Sequence, residues 1–209
     1  MENSKEQVSK RCKKEASLPC FDLKKIKVIS FDLDDTLWHC EPVIRKAELE
    51  MQNFLQEIGK EVMRKEVTRP NLDLHEKRAR QNFPSKIYDV TFMRRKALEY
   101  AAKTCKIDLT DEIVDQAFQK FYTARTSHVS EHIFPGVIEA LERLKTLGLR
   151  LGTISNGNAQ VFKIPEIAPF IEHHVNPEIA GSAKPLERVP ILRPSCLKRS
   201  KASITPGKI

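Results

Sequence analysis

No stretch of the 209-residue chain approaches the roughly 20 consecutive apolar residues that a membrane helix needs, and its start does not resemble a secretory signal. Neither a spanning nor a secreted protein is expected. The five cysteines, Cys12, Cys20, Cys40, Cys105 and Cys196, contain no Cys-x-x-Cys pair, so zinc in its usual spacing is not expected. Odd in number and dispersed, they read as reduced thiols in a cytoplasmic setting. An organelle is left open, although Glu2, Glu6 and Glu15 argue against a transit peptide. Acid is missing from one end: nothing acidic follows Glu187, while Arg188, Arg193, Lys198, Arg199, Lys201 and Lys208 do follow, punctuated by Pro190, Pro194 and Pro206.

That asymmetry locates the net charge of +8. Basic residues outnumber acidic ones eight to four over 1–27 and six to one over 186–209, which leaves the body between them near neutral. Without interleaved aromatics these tails read as solvated disorder over 1–23 and 186–209, and no specific nucleic-acid partner is expected. With 40% hydrophobic and 31% charged residues, the remainder suffices for one core and a small appended domain.

What is present begins at an apolar run, Ile26 to Ser30, followed directly by Phe31, Asp32, Leu33, Asp34, Asp35, Thr36 and Leu37. Two carboxylates and a hydroxyl thus stand at the carboxyl end of an expected strand, where α/β sheets keep their chemistry. Asp32 and Asp34 share a face while the chain stays extended, and Asp35 points the other way. Paired carboxylates can hold a divalent cation, and one of them can serve as a nucleophile. An Asp-Asp-Thr turn is the plain alternative. Leu149 to Ile154 reads as a second strand ending at Ser155, Asn156 and Gly157, which suits either a phosphate oxygen or an ordinary Asn-Gly turn. Lys184, in a loop after Ala180 to Ala183, suits a phosphate-neutralising cation or a solvated surface lysine.

Asp32, Asp34 and Thr36, then Ser155, then Lys184, resemble the first three motifs of the haloacid dehalogenase superfamily. The resemblance implies an α/β fold with a Rossmann-like parallel sheet: core segments 24–40 and 134–185 and a helical cap over 41–133. It implies a Mg²⁺-dependent phosphoric monoester hydrolase acting through an aspartyl-phosphate, because the second Asp at 34 marks phosphatases and phosphomutases. Asp32 is then the nucleophile and Asp34 the acid and base. Both lie at the metal, and Thr36, Ser155, Asn156 and Lys184 bind the phosphate. The expected partner is a small phosphorylated metabolite. Tyr88 to Arg95 and Thr153 to Gln160 further resemble phosphatases acting on flavin mononucleotide and on a riboflavin-pathway phosphate.

The family's fourth motif, Gly-Asp with a further Asp, has no match here. Its loss is expected to remove a metal carboxylate and to strip one edge from the strand carrying Asp32. A second reading follows: a truncated, weak or inactive relative acting as a binding element. Val189 to Leu192 is a poor substitute strand, since Pro190 interrupts it.

Between the first two motifs the chain reads as helical. Apolar residues recur with a period near 3.6 over 42–58, 90–102 and 111–123, the last with Thr110 as its cap. Pro70 and Pro84 are expected to punctuate loops. Phe92, Tyr100, Phe118, Phe121 and Tyr122 fit core positions at helical spacing, or a stack on a flavin. Arg94 and Arg95 offer charge for an anionic substrate, one of them facing solvent. Cys40 reads as a small buried hydrophobe.

Overall fold

The computed structural model describes residues 25–185, so the tails, and with them Val189 to Leu192, lie outside the described residues. A parallel sheet carries the fold, as the sequence leads one to expect. Its strands are β1 (Val28–Phe31), β2 (Arg150–Ile154) and β3 (Ile171–Val175), in the order β1-β2-β3. Parallel neighbours need long crossovers. That from β1 to β2 holds α1 (Cys40–Glu57), α2 (Arg69–Asn82), α3 (Val90–Thr104), α4 (Asp111–Ser127) and α5 (Val137–Thr146), and α6 (Pro177–Ala180) follows β3.

Central β2 buries Leu151, Gly152 and Thr153, whereas β1 has a neighbour on one flank only among the described residues and leaves Val28 44% exposed. Register pairs Phe31 with Thr153, which brings the carboxyl ends of β1 and β2 side by side. The pairing of β2 with β3 shifts between Leu151 and Gly152. There the His173 ring leaves no room for a side chain: a Cβ on Gly152 would lie 1.9 Å from His173 Nε2.

The apolar periodicity sorts the helices into two cores. Met51, Leu55, Leu98, Val114, Phe118 and Phe121 of α1, α3 and α4 pack together, so Phe118 and Phe121 are core aromatics. Leu33, Trp38, Leu141, Leu151, Ile164 and Ile171 form the second core around the sheet, which Val43 of α1 also joins. Thr110 accepts from the Ile113 N–H at 3.4 Å and Asp89 from the Phe92 N–H at 2.8 Å. Each such cap is worth about 1 kcal/mol.

The segment after Pro70 corrects the sequence reading. It is not a loop but α2, with Pro70 in its first turn, where a missing N–H leaves no helical bond unmade. Two backbone bonds join the way into the helices to the way out: His39 N–H to the His132 carbonyl at 2.9 Å and Phe134 N–H to the Leu37 carbonyl at 3.0 Å.

Candidate active site

Asp32 follows β1 directly, and its carboxylate is 44% exposed. Lys184 Nζ donates to Asp32 Oδ1 at 2.9 Å and to the Ile154 carbonyl at 2.7 Å, so one ammonium group bridges the ends of β1 and β2. Asn156 sets that lysine in place. Its Oδ1 accepts from the Lys184 N–H at 2.8 Å and its Nδ2 donates to the Lys184 carbonyl at 3.1 Å. Asn156, a phosphate-binding residue by the resemblance, engages both ends of its amide with the main chain of Lys184.

The chain turns sharply after Asp34, and Asp35 adopts the left-handed region with φ 58°. Asp35 Oδ1 accepts the Cys40 N–H at 2.9 Å, so this carboxylate serves the start of α1 and is turned away from its neighbours. Asp34 is held on both sides. Trp38 Nε1 donates to Oδ1 at 3.1 Å, and Arg125 Nη2 donates to Oδ2 at 2.6 Å. The Cys40 thiol is pushed up to about 12, first by burial and then by the charge of Asp34, so it stays protonated and unreactive.

Ser155 is buried, and its Oγ accepts the Gly157 N–H at 3.0 Å. Gly157 lies where the groups converge: a Cβ there would stand 2.6 Å from Asp34 Oδ2, 2.8 Å from Arg125 Nη2 and 3.5 Å from Ser155 Oγ. The structure thus brings Asp32 to Lys184, and Asp34 to Gly157 and Ser155. Thr36 sits on an exposed turn, and no hydrogen bond among the described residues links its hydroxyl to Ser155 or Lys184.

Sequence reasoning missed Arg125, Asn158 and Trp38. Arg125 had a signal, since it falls four residues after Phe121 and seven after Phe118, a cation on the apolar stripe of α4. Arg95 pairs with Asp115 at the surface. Arg94 stacks on Phe121 at 4.4 Å beside a cavity of about 20 Å³, room for one water. Burial, and then the like charge of Arg125, lower its pKa to about 10.

No group of three or more His, Cys, Asp or Glu side chains converges on a metal position among the described residues. Asp32 and Asp34 remain as the acidic pair, and Asp34 already accepts bonds on both oxygens. Mg²⁺ is often held by one or two carboxylates with waters and substrate phosphate completing the shell. The exposed carboxylate of Asp32 is the oxygen donor that such an ion would meet first here.

The whole stretch from β1 through the Lys184 loop matches the haloacid dehalogenase-like hydrolase model, over residues 26–198. The chain belongs to the haloacid dehalogenase-like hydrolase family. A glyceraldehyde 3-phosphate phosphatase from Pyrococcus abyssi is 29% identical over 171 residues, which are 78% of this chain and 65% of that relative. The solved 2-haloacid dehalogenase from Pseudomonas syringae pv. Tomato DC3000 is 31% identical with a TM-score of 0.62, covering 75% of this chain and 66% of its own. This family member therefore spans a little under two thirds of either protein's length. The two relatives' names belong to different reactions, so the side chains around Asp32 bear the weight of any choice between them. No helix among the described residues is long and apolar enough to cross a membrane.

Proposed function

We propose that this hydrolase cleaves phosphate monoesters through an aspartyl-phosphate on Asp32. The observation that carries the reading is a second carboxylate, Asp34, fixed by Trp38 and Arg125 two residues from an accessible Asp32 that Lys184 already contacts. Displacement at phosphorus needs a nucleophile, a cation for the charge on the equatorial oxygens, and a group that moves a proton.

In the first step an Asp32 oxygen bonds to phosphorus, the ester P–O bond breaks, and the leaving oxygen takes a proton from Asp34. In the second, Asp34 takes a proton from water, the water oxygen bonds to phosphorus, and the bond to Asp32 breaks, releasing phosphate. In this reading Lys184 and Ser155 take the phosphate oxygens, which the Lys184 contact with Asp32 supports, and Asn156 acts by holding Lys184. Mg²⁺, when bound, would be held by Asp32 and Asp34 and would withdraw charge from the phosphoryl group. The helical block of α1 to α4 acts as the cap that keeps bulk water from the intermediate.

The substrate is a small phosphorylated metabolite, with flavin mononucleotide the first to try, on the likeness of residues 88–95 and 153–160. Among the described residues, the open flank of β1 and the lack of a third acidic ligand favour the second reading, a weak or inactive binding element. Phosphate release from p-nitrophenyl phosphate and flavin mononucleotide, with and without Mg²⁺, decides between the two. Turnover that disappears in Asp32→Asn supports the hydrolase. Turnover absent from the native chain, or surviving that change, refutes it.

A further inference from the structure

One polar chain crosses repeatedly between the helical block and the sheet side of the molecule. Glu178 of α6 accepts from the Thr91 hydroxyl at 2.6 Å, and the same hydroxyl accepts from Asn158 Nδ2 at 3.1 Å. Asn158 Oδ1 in turn accepts from Arg125 Nη1, while Arg125 Nη2 reaches Asp34. Thr91 lies in the first turn of α3 and Arg125 near the end of α4, whereas Asn158, Glu178 and Asp34 belong to segments flanking the strands. The Arg125 side chain is 5% exposed and Asn158 is buried, so little water competes for these bonds.

A guanidinium group offers two donors in a fixed fork, which an ammonium group cannot copy. Here one tine is fixed by Asn158 and the other meets Asp34. The direction of the Asp34 carboxylate is therefore set from α4, and its other oxygen accepts from Trp38, the one tryptophan of the chain.

We propose that Arg125 is a positioning residue, held by Asn158, which Thr91 contacts in turn, that sets the direction of the Asp34 carboxylate. This deepens the phosphatase reading and rests on it for its catalytic consequence: the proton-moving carboxylate is kept in one direction by the Arg125 fork. The contact itself does not depend on that reading, and Trp38 makes it observable without turnover.

The test uses the full chain, with Trp38 emission and steady-state kinetics on p-nitrophenyl phosphate measured for native protein, Arg125→Gln, Arg125→Lys, Asp34→Asn and the Asp34→Asn, Arg125→Gln double variant. Arg125→Gln is expected to shift Trp38 emission and to lower kcat about 10²-fold with KM changed little, the pattern for an interaction that matters in the transition state. Arg125→Lys should recover part of both, and it decides the matter if Arg125→Gln does not fold. In the Asp34→Asn background the second change should move emission no further. Arg95→Gln, which removes a surface pair on the same helical block, should alter neither readout. Native emission and kcat in Arg125→Gln, or an emission shift equally large without the Asp34 carboxylate, would overturn the proposal. If the native chain has no turnover but the emission coupling is present, the hydrolase reading falls and the positioning contact stands.

Discussion

Asp32 and Asp34 stand two residues apart and live under opposite conditions. Asp32 is 44% exposed and meets one ammonium group, which itself is 33% exposed. Asp34 is 21% exposed and gripped by an indole and a guanidinium, the latter 5% exposed. Exposure suits a group that must reach an incoming phosphorus atom, and enclosure suits one that must point a proton along a fixed line. The same two-residue spacing thus yields two environments, because the strand ends just before the first carboxylate and the chain turns after the second.

The largest break in this contrast is expected at the open carboxylate itself, where Asp32→Asn removes the proposed nucleophile and should lower phosphate release by on the order of 10³-fold or more. Next comes its cation. Lys184→Met should lower kcat by about 10²-fold and raise KM for the phosphate ester, while Trp38 emission, which reports the enclosed carboxylate, should stay native. Gly157→Ala sharpens the contrast from the other side. Its added methyl would press on Asp34 Oδ2 and Arg125 Nη2, so emission should shift and kcat fall about tenfold, with KM less affected than in Lys184→Met.

The smallest effect on either carboxylate is expected from His174, which bonds Thr153 at 2.7 Å. Burial, with the charge of His173 second, lowers its pKa to about 4. The folded state therefore resists a proton that the unfolded chain takes up below about 6.5. Stability on its account should be full above that pH, decline as pH falls toward 4 and level off below, a loss of up to about 3 kcal/mol. Urea midpoints for native and His174→Gln chains over this range check it: the native midpoint should fall more steeply, with turnover per folded molecule at pH 7 little changed.

The parts of the molecule set by neighbours in sequence were legible beforehand. The strand leading to Asp32 announces itself by its apolar run, α1, α3 and α4 by their period, and the start of α4 by Thr110, because each depends on residues within a turn or two. Helix α2 was hidden because it buries Ala79 alone among its residues and places a proline where prolines are usually read as breaks. Strand β3 was hidden by Glu172, His173 and His174, which occupy its half-buried middle. At the site, Asp32, Asp34, Ser155 and Lys184 stood out as residue types at strand ends or in a small-residue loop. The parts played by Asn156 and Arg125 did not, since a side chain that holds main chain 28 residues away, or a carboxylate 91 residues back, leaves no local pattern.

Among the described residues β1 is laced to the sheet along one side only, so its amide protons should exchange with solvent ahead of those of β2. What steadies Asp34 is then less the sheet than the splice just beyond it, where the backbone of 37–39 is tied to that of 132–134 and Trp38 is wholly enclosed. The strand can breathe while the knot that follows it keeps its shape.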